Sequence, residues 1–418
     1  MKRVAVILLV AGLSCTVASQ AAAAPTSSDP TTAARDAAAW LAAHVSPAGF
    51  IPSAGDASKP DYSSSEQAVV ALAAAGVGRD AVDALVAYLG QHVNAAVSPT
   101  GVDDPGALAN LILAVRAAGK DATAFGAPPT DLVTRLVATQ QDSGLFGSSD
   151  PTFDGAFREG LALLALHAAG VKNAAGVTWL QNQQCAGGSW TAYRADTKVP
   201  CPAVDPDTFS GPDTNSTALA LLGLAAQGAT ASATKGVNAL EAVRNAQGGW
   251  GFLARSDQAT DANSTGAVLE ALRTVQGTAD ARGVKALLAL QVGCTAPVAD
   301  RGALAFQPGA GGALTPNLLA TVQAVPALAG VALPVVAAQI APAVPVPCAV
   351  SASTTTTTAG VVTTLGSTAP STTVAPAATL PRTGSAAGGL AALGVLMLAA
   401  GCGLLAGGRR RARSARAH

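Results

Sequence analysis

From residue 31 to about 350 the chain alternates between two kinds of stretch. One is a run rich in Ala and Leu that ends in Gly; the other is a shorter amphipathic run followed by a loop of Gly, Asp and Ser. The first kind includes Gln67–Gly76, Leu108–Gly119, Gly160–Gly170, Thr217–Gly228 and Thr265–Gly277, with a less regular copy ending at Gly330. The terminal glycines are 43, 51, 58, 49 and 53 residues apart. Apolar residues at three- and four-residue spacing predict helices, and the Gly supplies the left-handed residue that closes each one. A second helix follows in each period, as at Val177–Gln184 and Val237–Asn245. Helix starts carry Asp104 before Pro105, Asp213 and Asp261, and Ser63 stands three residues before Glu66 at capping-box spacing. The prediction is an all-α fold of about six helical hairpins, or about twelve helices, over residues 31–350. Repeats of this size stack into a ring or a solenoid. Only 4% of residues are aromatic, so close packing of small side chains must fill the core.

The two ends of the chain read differently. Lys2 and Arg3, an apolar stretch to Val17 and the small residues Ala21–Ala24 form a secretory signal over residues 1–24. Near the other end, Leu380-Pro381-Arg382-Thr383-Gly384 precedes an uncharged run of 21 residues, Ala386–Ala406. At about 1.5 Å per residue that run crosses a bilayer core of roughly 30 Å. Five Arg follow it within residues 409–418 and hold that tail in the cytoplasm. Pentapeptide, span (residues 385–408) and basic tail in this order resemble the sorting signal of Gram-positive wall-anchored proteins. The resemblance implies that a sortase cuts between Thr383 and Gly384 and joins Thr383 to peptidoglycan. Pro381 favours an extended Leu380 that a protease-like groove accepts. Residues 351–379, mostly Ser, Thr, Val, Ala and Pro, lack the composition to build a core and read as a disordered stalk through the wall.

Charge and cysteine usage fit an exported chain. All 25 acidic residues lie between the two signals but only 18 of the 25 Lys and Arg do, which leaves a net charge of −7 hidden by the overall balance. An acidic surface argues against nucleic acid as a partner. Cys185, Cys201, Cys294 and Cys348 remain once both signals are set aside. Of three pairings, Cys185–Cys201 with Cys294–Cys348 closes local segments, and no Cys-x-x-Cys spacing supports zinc.

Trp179-Leu180-x3-Gln184-x3-Gly188-x-Trp190 is similar to the Gln/Trp repeat of terpenoid and squalene–hopene cyclases. Leu240-x3-Arg244-x3-Gly248-x-Trp250, Leu136-x3-Gln140-x3-Gly144-x-Phe146 and Trp40-Leu41…Gly49-Phe50 are further, progressively altered copies. The resemblance implies a closed α/α toroid, a fold shared with protein prenyltransferases, thioester domains and cobalamin carriers. Class II cyclases protonate substrate with the middle Asp of Asp-x-Asp-Asp-Thr-Ala. In Asp213-Thr-Asn215-Ser216-Thr217-Ala218 and Asp261-Ala-Asn263-Ser264-Thr265-Gly266 that place holds Asn, which has no acidic proton. The zinc ligands of prenyltransferases and the reactive Cys of thioester domains are likewise not found, so no catalytic residue and no cofactor is assigned.

The reading for function is a wall-displayed, non-catalytic toroid that binds an extracellular small molecule or glycan in its central cavity or on its loop face. A surface enzyme acting on glycans through rim carboxylates and an adhesin or display domain are the alternatives. Trp190, Tyr193, Trp250, Phe252, Asp213 and Asp261 are the candidate ligand contacts. Asp205 and Asp207 offer hard oxygen ligands of the kind Ca²⁺ takes.

Overall fold

The computed structural model describes residues 24–148 and 155–348. The signal segment, the stalk, the pentapeptide and the apolar run lie outside the described residues, apart from Ala24. Thirteen α-helices occur among the described residues. They are α1 (Pro30–Ala43), α2 (Tyr62–Ala75), α3 (Arg79–Gln91), α4 (Val93–Val97), α5 (Pro105–Ala117) and α6 (Leu132–Ala138). The series continues with α7 (Ala156–Ala168), α8 (Ala174–Asn182), α9 (Thr214–Gln227), α10 (Thr230–Ala242), α11 (Ala262–Gln276), α12 (Ala281–Leu288) and α13 (Leu318–Ala329).

The six Gly-terminated runs are α2, α5, α7, α9, α11 and α13. They pack side by side in that order, and α13 returns to α2, so they form a closed inner ring. Helices α3, α6, α8, α10 and α12 each lie behind the inner helix they follow. Among the described residues no helix follows α13. Its outer partner is α1, which packs on both α13 and α2, so the first and last helices of the ring close it. Twelve helices thus make six hairpins, and α4 is one extra short turn beside α5.

Local chemistry sets the helix ends. Asp61, Asp104, Asp213, Asp261 and Asn317 cap inner helices by accepting a backbone N–H three residues on. The capping box expected at Ser63 and Glu66 is not formed. Helix α2 begins two residues before it would with a Ser63 cap, because Asp61 takes Ser64 N at 2.9 Å, and Glu66 turns into the packing between helices. Gly76, Gly228, Gly277 and Gly330 end their helices in the left-handed conformation.

Small residues bring the inner helices close. A methyl group on Gly160 of α7 would sit 2.1 Å from Leu219 O of α9, and one on Gly223 of α9 would sit 2.5 Å from Gly160 O. Gly266 of α11 approaches Gln323 O of α13 in the same way, at 2.7 Å. Two strand pairs are present, β1 (Pro52–Ser53) with β2 (Asp56–Pro60) and β3 (Trp190–Thr191) with β4 (Pro212–Asp213). The disulfides are Cys185–Cys201 and Cys294–Cys348. The first pins the long loop before α9, and the second ties the loop after α12 to the segment beyond α13.

Candidate functional site

One hydrogen-bond pattern recurs round the outside of the ring. In five of the six inner helices, all but α5, the residue four beyond the N-cap accepts the backbone N–H of a buried apolar residue in the preceding loop. Ser65 takes Ile51, Glu159 takes Phe146, Thr217 takes Trp190, Thr265 takes Trp250 and Thr321 takes Leu304, all at 2.9–3.1 Å. The side chain at the Gln position donates to the carbonyl of the loop Gly: Gln140 to Gly144, Gln184 to Gly188, Arg244 to Gly248 and Gln291 to Gly302. Each indole N–H of Trp190 and Trp250 donates to a carbonyl of the outer helix before it, Leu180 O and Leu240 O, at 2.8 Å. The motif therefore bolts an outer helix, a loop and the next inner helix together.

That pattern corrects part of the sequence reading. Trp190 and Trp250 are fully buried with their N–H groups satisfied, so they hold the ring together and reach no ligand. In the first copy the buried position is Ile51, and Phe50 precedes it by one. A fifth copy, Gln291…Gly302-x-Leu304, is present but carries ten residues where the other copies have three.

Asp213 and Asp261 are also structural. Their carboxylates are 3% and 2% exposed and cap α9 and α11 through Ser216 N at 2.6 Å and Ser264 N at 2.7 Å. Burial raises both to a pKa of about 6, against the hydrogen bonds that lower them. Phe252 is half-buried and serves through its backbone, its carbonyl accepting from Thr214 N at 2.8 Å. Asp205 spends its carboxylate on a local turn with Asp207 N and the Thr208 hydroxyl. Asp207 is exposed beside it, and no group of three acidic, His or Cys side chains among the described residues could hold a metal.

Tyr193 alone of the candidate contacts lines an open site. It stacks on Trp179 with ring centroids 6.2 Å apart, in a rim cleft of about 430 Å³ that Asn182, Arg194 and Asp196 also line. Among the described residues Asp196 is the one carboxylate in that lining.

The ring axis carries the second open site. Each inner helix is flanked by two inner neighbours and backed by outer helices, so its remaining face looks inward. At about 100° per residue, positions 2, 6, 9 and 13 beyond the N-cap share that face. The first layer is Ser63, Gly106, Phe157, Asn215, Asn263 and Leu319; the second is Gln67, Asn110, Leu161, Leu219, Ala267 and Gln323. The third is Val70, Leu113, Leu164, Leu222, Glu270 and Pro326. Gln67, Asn110, Ala267, Gln323 and Val70 stay half-exposed, whereas Leu164 and Leu222 are 1% exposed. The axis is therefore no large chamber. It is a narrow well that tightens over about 10 Å of helix, from the N-terminal mouth to a third layer where Leu164 and Leu222 are buried and Val70 stays half-exposed.

Amides line one side of this well. Asn263 Nδ2 donates to Gln323 Oε1 at 2.7 Å, Gln323 Nε2 to Gln67 Oε1 at 3.1 Å, and Gln67 Nε2 to Ser63 at 3.0 Å, linking α11, α13 and α2. Leu161, Leu219 and Phe157 face them across the axis. Glu270 lies at the floor, 7% exposed, with no hydrogen-bond or ion-pair partner among the described residues. Burial holds its carboxyl well above the usual carboxylate range. Gln67, Gln323 and Glu270 carry no assignment in the sequence reading, yet the signal is there: each is a polar residue inside an Ala/Leu run, at a fixed distance from the cap.

No family model matches the chain, and no curated protein matches it in sequence. Solved structures similar to it include a protein from Actinoplanes, at 17% identity and a TM-score of 0.45, over 72% of this chain and 99% of that one. The apo type II terpene cyclase MstE from Scytonema aligns at 15% identity and a TM-score of 0.47, over 72% of this chain and 97% of that one. A variant of the same cyclase in complex with merosterolic acid A aligns at 15% identity and a TM-score of 0.45, covering 72% and 96%. At this level the likeness is only that, and the closed six-hairpin ring rests on the helix contacts of this chain itself.

Proposed function

We propose that this protein is exported, joined to peptidoglycan through Thr383 by a sortase, and displays its helical ring as a non-catalytic binding module. The observation that carries the binding reading is the axial well, where amides and a carboxyl without a partner open to one mouth of the ring. Buried polar groups left without partners cost about 1–3 kcal/mol each, and a ligand that satisfies them recovers part of that cost. The positions that would hold a cyclase acid carry Asn215 and Asn263, which supports binding without turnover. The Leu380–Gly384 pentapeptide, the apolar run and the Arg tail support the wall attachment.

Two measurements test the two halves. In a Gram-positive host, the wild-type chain should be released only by enzymes that digest the wall, whereas Thr383→Ala or loss of the sortase should leave it membrane-bound or secreted. Covalent wall attachment surviving either change would overturn the anchor. Native mass spectrometry of the wall-released protein should show a stoichiometric added mass that disappears on denaturation. Its absence in protein taken from growing cells would count against the binding module.

A further inference from the structure

The geometry points to a linear aliphatic amine as the ligand of the axial well, with its ammonium on the Glu270 carboxylate and its chain running up toward the mouth. This rests on the binding reading above and narrows it to one chemical class.

Three observations converge. Glu270 sits at the narrow end of the well, nine-tenths buried, with neither a hydrogen-bond donor nor a cation against it. One turn further on the same face, Thr274 Oγ1 is also buried without a partner. No Lys, Arg or His occupies an inward-facing position on any of the six inner helices, so the ring itself supplies no counter-charge. The nearest basic group on the inner helices is Arg273, three residues on in α11, whose guanidinium lies against Gly330 at the end of α13 and makes no ion pair with Glu270 among the described residues. Arg158 pairs with Asp104 at 2.8 Å, and Arg116 donates to Ala168 O at 3.0 Å. A buried carboxyl in this position is relieved by an incoming cation, and an ion pair gains strength where water is excluded.

Shape selects the rest of the ligand. The constriction by Leu164 and Leu222 excludes a bulky ring system, and the Leu161–Leu219 wall suits methylene groups. The amide oxygens of the opposite wall can accept N–H groups carried along such a chain. An anion can form no ion pair with a carboxyl, and a neutral alcohol can offer it a hydrogen bond but no opposite charge.

The proton balance gives a signature. Burial favours the neutral form of Glu270 in the empty well, and an ammonium beside it favours the carboxylate, so seating the amine drives proton release to the buffer. The test is isothermal titration of the full ectodomain, as released from the wall, with hexylammonium, hexanol and hexanoate, repeated in buffers of different ionisation enthalpy. The expected result is binding of the amine at least tenfold tighter than the alcohol, with net proton release on amine binding alone. In Glu270→Gln, an isosteric change, both the preference and the proton release should vanish. Amine and alcohol binding equally, or an amine preference unchanged in Glu270→Gln, would overturn the charge inference and leave a binding well standing. None of the three probes binding would overturn the inference together with the well.

Discussion

Gly160 of α7 and Gly223 of α9 face each other across the tightest contact in the inner ring. A methyl group on the first would fall 2.1 Å from a carbonyl oxygen of α9, and on the second 2.5 Å from Gly160 O. No flexible side chain can move to make room, because the obstacle is backbone.

Gly160→Ala should therefore destabilise the ring by more than the 1–3 kcal/mol usual for overpacking, although Ala is the better helix former by about 1 kcal/mol. Chemical denaturation monitored by circular dichroism measures this. Ala at Gly170, where added volume meets nothing within 4 Å and the penalty comes only from φ +80°, should cost less.

Thr265→Val removes the acceptor for Trp250 N, now at 3.1 Å, while keeping the side-chain shape. A buried N–H left without a partner costs about 1–3 kcal/mol. The loss should appear in unfolding free energy, with Trp fluorescence reporting a loosened Trp250. An unchanged midpoint would mean that the repeated link between cap and loop contributes little.

Asp213 makes stability depend on pH in an unusual direction. Its pKa rises from 3.8 to about 6 on folding because burial outweighs the cap bonds. The folded state then holds a proton that the unfolded chain gives up, so stability falls as pH climbs from about 4 to 6 and levels off above. The difference is about 3 kcal/mol at most. Asn caps a helix nearly as well as Asp, so Asp213→Asn should match the wild type near pH 4 and be the more stable form at pH 7. Thermal melts across that range check the sign.

The disulfide Cys294–Cys348 spans 54 residues and encloses α13. Loop-closure entropy of that size contributes about 4 kcal/mol. A Cys294→Ser, Cys348→Ser protein should lose stability of that order. Hydrogen exchange should rise first in α13 and in α1 packed against it.

How far the sequence announced this architecture depends on the residue. The six Gly-terminated runs were legible because Ala/Leu periodicity and a terminal Gly are local signals, and the short-range disulfide followed from its spacing. The partnership of α1 with α13 was not legible, since nothing in either helix encodes a contact made across the whole length of the ring. Trp190 and Trp250 read from sequence either as packing residues of the Gln/Trp motif or as ligand platforms, because an aromatic residue beside a glycine loop looks the same whether it turns inward or outward; the bond from indole N–H to Leu180 or Leu240 decides for packing. One acidic residue in an apolar run, as at Glu270, carries no sequence signal that separates a solvated side chain from an enclosed one. It becomes notable only once α9 and α13 are seen to enclose it.

The second disulfide also decides how the fold carries load. A pull on the chain beyond Cys348 does not travel back through residues 295–347, because the bond delivers it at Cys294, just past α12. Helix α13, which closes the ring against α1 and α2, sits inside the covalent loop and is spared. A domain tethered at that end can be dragged by shear without being unzipped from its last helix.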